Sequence, residues 1–62
     1  MKVELGHRYI IMNPSESDYE YAEVEVIAYS PSKMMAKFKT DAGVLFWEFI
    51  DRISIKEELP KD

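Results

Sequence analysis

The sequence predicts an all-β domain, five short strands closed into a small barrel, and three observations carry that prediction. Polar and apolar residues alternate with the two-residue period of half-buried strands, most strictly where Tyr21, Glu23 and Glu25 interleave with Ala22, Val24 and Val26. Turn-forming clusters recur between the apolar runs, at Asn13-Pro14-Ser15, Ser30-Pro31-Ser32 and Asp41-Ala42-Gly43. No stretch reads as a helix of ordinary length, and closing a small sheet on itself removes the exposed edges that open strands present.

Each element follows from local chemistry. Leu5-Gly6-His7-Arg8-Tyr9 bends at its glycine into a first strand over 9–12, rich in strand formers. Asn13-Pro14-Ser15 stops it, since proline has no amide to give a ladder. The alternation above predicts a second strand over 21–29, and Pro31 suits the next turn. A third strand over 34–40 and a fourth over 44–49 flank Asp41-Ala42-Gly43. That loop fits a type I turn followed by a left-handed glycine, a position glycine takes without steric cost. Ile50-Asp51-Arg52 predicts a single helical turn before a brief last strand over 53–55. Residues 1–56 are therefore expected to form the barrel, and residues 57–62 a flexible tail from which Leu59 could dock.

In layout the chain resembles the SH3-like small barrels, the Tudor and KOW types included. The likeness rests on Leu5-Gly6-His7-Arg8-Tyr9, Asp41-Ala42-Gly43 and Ile50-Asp51-Arg52-Ile53, and covers residues 5–55. The chain is also similar in length and layout to small barrel proteins of phage and prophage genomes. The resemblance implies a module that binds protein or polymer, not an enzyme. A distinct reading is a phage-type inhibitor whose acidic segment, Glu16 to Glu25, occupies a basic groove on a host protein.

Composition narrows the functional classes. The chain has 62 residues, no cysteine and one histidine, His7. Thiolate chemistry and disulfides are excluded, a cytoplasmic setting is favoured, and neither a structural metal nor any cofactor is expected. No apolar run approaches the roughly 20 residues that span a bilayer, and the opening Met1-Lys2-Val3-Glu4 does not read as a signal peptide. The net charge of −4 disfavours a general nucleic-acid binder. Charge is also segregated. Five acids and no base lie between Asn13 and Ala28, whereas Lys33, Lys37 and Lys39 stand together without an acid.

No constellation of residues carries catalysis. Glu23 and Glu25 point one way from a strand, and no pocket is indicated that would separate their pKa values. The candidates are contact surfaces. Strict alternation places Phe38 and Phe46 inside, with Leu5, Tyr9, Ile11, Val24, Val26, Ala36, Ile50, Ile53 and Ile55. Met35, Leu45, Trp47 and Phe49 then fall on the opposite face. They are either covered by the tail and the loop over 13–20 or exposed to a protein partner or a second copy of the chain. Glu16, Asp18, Glu20 and Tyr21 make a second candidate surface for a basic protein partner. Lys33, Lys37 and Lys39 beside Trp47 form a possible nucleic-acid surface, in which lysines hold phosphates and the indole stacks on a base.

Overall fold

In the computed structural model, which describes residues 2–60, all five strands lie in one antiparallel sheet. They are β1 (Arg8–Met12), β2 (Glu23–Tyr29), β3 (Met35–Thr40), β4 (Leu45–Phe49) and β5 (Ser54–Leu59). Their order is β4-β3-β2-β1-β5, so three successive hairpins are followed by a strand that crosses to the far side of β1. No ladder joins β4 to β5, and the sheet is open. The closed SH3-like barrel, with its Tudor and KOW likeness, is thereby corrected to an open five-stranded sheet.

The apolar face is covered by segments outside the ladders, which explains how an open sheet keeps its core dry. Val3 from the lead-in, Ile50 and Ile53 from the turn after β4, and Tyr9, Ile11, Val24, Val26, Ala36 and Phe38 from the strands are all buried. The Tyr29 hydroxyl donates to the Val3 carbonyl at 2.7 Å, and the Glu4 amide donates to the Tyr9 hydroxyl at 2.9 Å. The Lys2 ammonium donates to the carbonyls of Ile50 and Ile53, tying the lead-in to the turn after β4. Burial pushes the Tyr9 phenol above its ordinary pKa, against the bond from Glu4, which pulls it down.

Leu5 is a correction within the core. The His7 amide donates to the Glu4 carbonyl at 3.1 Å, and Gly6 has φ +80°. That is a turn with a left-handed third residue, the geometry of type II. Leu5 sits at its tip, 51% exposed, while Val3 is fully buried in the core. The start of β2 also differs. Tyr21 is left-handed at φ +62°, and its amide donates to the Ile11 carbonyl while the Ile11 amide donates to Ala22. Two residues thus oppose one, a bulge that delays β2 to Glu23.

Two further elements refine the expectation. The Asp41-Ala42-Gly43 turn is as the sequence predicts, with Gly43 at φ +86° and its amide donating to the Thr40 carbonyl at 2.9 Å. The turn after β4 closes through amides of Arg52 and Ile53 on the Phe49 carbonyl, yet the helical segment among the described residues is a 3-10 turn at Ser17–Tyr19. β5 continues to Leu59, which lies opposite Arg8, so residues 57–59 belong to the sheet. His7 Nδ1 and Glu58 Oε2, 2.8 Å apart, add a side-chain link between the β1 and β5 sides.

Candidate functional site

The β3–β4 register builds the candidate surface. Met35 opposes Phe49, Lys37 opposes Trp47 and Lys39 opposes Leu45. Directly opposed residues share a face, so these six form one double row on the outer side of the sheet. Phe38 opposes Phe46 on the inner side, with Phe38 fully buried. Leu45, Trp47 and Phe49 are 49%, 44% and 42% exposed. Three large apolar side chains in a row on one edge strand are more than isolated surface residues.

The loop that could have covered this row lies on the other face. Tyr19 stacks on Phe46, ring centroids 3.9 Å apart and planes 4° apart, and Phe46 in turn stacks on Phe38 at 5.6 Å. Ser15 donates to Glu48 Oε2 from both its amide, at 2.9 Å, and its hydroxyl, at 2.7 Å. Glu48, on the inner face of β4, is 2% exposed and takes both bonds from this loop. Leu59 is equally remote, on β5 at the opposite edge of the sheet. Neither the loop nor the last strand covers Trp47.

Cations lean over the aromatic row. The Lys37 ammonium lies 5.9 Å from the Trp47 ring centre, and the Arg52 guanidinium lies 5.9 Å from that of Phe49. Both are within cation–π range. At the end of β4, Met34, Phe49, Asp51 and Arg52 line an open groove of about 320 Å³. Met34 and Arg52 were not among the candidates. Met34 precedes β3 and is exposed at the end of the β2–β3 turn, where strand alternation gives no signal for it.

The acidic candidates do not join this surface. Glu16, Asp18, Glu20 and Tyr21 are all exposed along the loop pinned under β4, and Glu20 accepts a bond from the Asn13 amide at 3.2 Å. Lys33 stands apart as well, left-handed at φ +62° in the β2–β3 turn. Only Lys37 and Lys39 of the three lysines share the face of Trp47. Among the described residues no group of three or more His, Asp or Glu side chains is placed to hold a metal ion, and no helix is long and apolar enough to cross a membrane.

The chain matches no family model, no curated protein and no solved structure. The likeness to phage barrels therefore falls with the open topology, and no match supports the phage or homodimer expectations.

Proposed function

We propose that the chain is a small non-catalytic protein-binding module whose contact surface is the outer face of β3 and β4. The exposed row Leu45, Trp47 and Phe49 carries this reading, because the segment able to cover it is committed to the opposite face. Aromatic residues flanked by cations are the composition of contact hot spots. The acidic loop offers a separate, solvated surface for a basic region of the same partner.

Affinity capture from a lysate of the source cell, comparing wild type with the Leu45→Ser/Trp47→Ala/Phe49→Ser variant, tests the proposal. Circular dichroism confirms that the variant is folded. Proteins retained by wild type and lost from the variant support the reading, and an identical catch from both overturns it.

A nucleic-acid surface is the second reading, favoured by Lys37 and Lys39 beside Trp47. The same contact argues against it, since the Lys37 ammonium occupies the indole face on which a base would stack. Binding of single-stranded DNA or RNA that weakens steeply with salt and is lost in Lys37→Glu/Lys39→Glu would favour this second reading over the first.

A further inference from the structure

Resting on the reading of the β3–β4 face as a protein-contact surface, we propose that β4 takes up an extended acidic peptide segment as a sixth strand. The ladder geometry is the first argument. The Thr40 amide donates to the Val44 carbonyl at 2.9 Å, and the Ile50 amide donates to the Met34 carbonyl at 2.9 Å, at the two ends of the β3–β4 pairing. Antiparallel partners alternate between bonded and non-bonded pairs. Phe46 and Glu48 therefore bond to β3, while Leu45, Trp47 and Phe49 turn their backbone groups to the free edge.

The Phe49 carbonyl is taken by the amides of Arg52 and Ile53. That leaves the N–H and C=O of Leu45, the N–H and C=O of Trp47 and the N–H of Phe49. None of these has a hydrogen-bond partner among the described residues. They form a template for main-chain pairing of the kind used in strand addition.

The two edges of the sheet differ in how they resist such pairing. β5 carries Lys56, Glu57 and Glu58 and is followed by Pro60, all features that blunt an edge. β4 reads Leu-Phe-Trp-Glu-Phe. Its one charge is an inward-pointing glutamate, itself an edge-blunting feature, but Ser15 satisfies it on the far face.

Charge selects the occupant. A strand added at the usual spacing lies about 4.8 Å from β4. The Lys37 ammonium already sits over Trp47 and the Arg52 guanidinium over Phe49, so both cations lean toward that edge. Asp51 is the one acid at the groove. Glutamates on the outer face of the added strand would lay their stems on the two rings and their carboxylates beside the cations. Alternate apolar residues would fall on the inner face, next to Phe46. A second copy of the chain brings the same cations and apolar row to the junction, with Asp51 again the one acid at its groove. An acidic partner supplies the charge that is missing.

The probe is a seven-residue peptide alternating glutamate with valine, capped at both ends and titrated against wild type by Trp47 emission. It is compared with a lysine–valine counterpart and with two glutamate peptides N-methylated on alternate amides, one in each phase. The expected result is saturable binding of the glutamate peptide, at least tenfold tighter than the lysine peptide. One methylated phase loses at least tenfold and the other is retained, because only alternate amides face β4. Amide exchange at Leu45 and Trp47 slows in the complex, and Lys37→Glu/Lys39→Glu reverses the preference between the peptides. Absence of binding, equal binding of both methylated phases, or sedimentation showing copies paired through β4 overturns the added acidic strand. If the capture by wild type is still lost in the Leu45, Trp47 and Phe49 variant, the face remains a contact surface and only the strand addition falls.

Discussion

Removing the Ser15 hydroxyl tests how the long loop is held. In Ser15→Ala, Glu48 Oε2 loses its 2.7 Å bond and keeps the 2.9 Å bond from the Ser15 amide. A hydrogen bond to a charged group contributes about 1.5–3 kcal/mol. The retained amide and the solvent at the loop place the loss at the lower end, about 1.5–2 kcal/mol. Domains of this size rarely exceed about 3–5 kcal/mol in total, so the loss takes about 30% of the stability or more. Urea unfolding followed by circular dichroism reads it as a midpoint shift of roughly 1.5–2 M, taking a slope of about 1 kcal/mol per M. Ser17→Ala is the control, since the Ser17 side chain makes no hydrogen bond among the described residues, and should stay within about 0.5 kcal/mol. In a Glu48→Gln background the acceptor is neutral, and the same Ser15→Ala change should cost only about 1 kcal/mol. Equal midpoints for Ser15→Ala and Ser17→Ala would refute the view that this pair anchors the loop.

Other expectations follow from single residues. Phe38→Ala, at a fully buried site, should cost about 3–5 kcal/mol and leave little folded protein, whereas Trp47→Ala should cost about 1 kcal/mol or less by the same urea assay. Trp47 emission in the free protein should be red-shifted and readily quenched by acrylamide; a blue-shifted, protected signal would contradict the outward indole. Gly43→Ala has open space for its methyl but must hold φ +86°, so a loss of about 1–2 kcal/mol is expected from backbone strain alone. Gly43→Asn should recover part of that loss. Tyr9 has its folded pKa raised by burial, so the folded state holds the phenolic proton more tightly than the unfolded one. Its contribution is complete below about pH 10 and is lost as pH rises through the folded pKa, so the alkaline unfolding slope should flatten in Tyr9→Phe.

Alternation made the strands and their facing legible. Phe38 inward and Trp47 outward both follow from a tight turn at Gly43, whose left-handed backbone is observed. The same parity puts Glu48 inside between Phe46 and Ile50, a consequence visible in the sequence once the turn is placed. Closure was not legible, because it depends on whether two distant edges meet rather than on any local pattern. Leu5 lies outside and Val3 inside for a related reason. A left-handed Gly6 reverses which residue of the lead-in points inward, and the number of residues in that turn cannot be read from hydrophobicity. Tyr21 fits the period of β2 yet takes φ +62°, where the 3-10 turn and the bulge opposite Ile11 outweigh its strand propensity.

The open edge and the buried carboxylate bear on each other. A charged residue facing the interior of an edge strand opposes further pairing when it is unsatisfied, since an added strand would deepen its burial. Ser15 gives Glu48 two donors from the protein itself, and Tyr19 covers the neighbouring Phe46 ring. With the inner side of β4 settled in this way, its outer side is left with apolar rows, leaning cations and unpaired backbone groups. Weakening the loop should therefore alter β4 as well as the loop's own stability. In Ser15→Ala, backbone amide exchange at Phe46 and Glu48 should quicken along with exchange across residues 13–22, because local opening follows the lost contact. Quickening confined to the loop, with the β4 amides unchanged, would separate the two features and leave the edge independent of the segment beneath it.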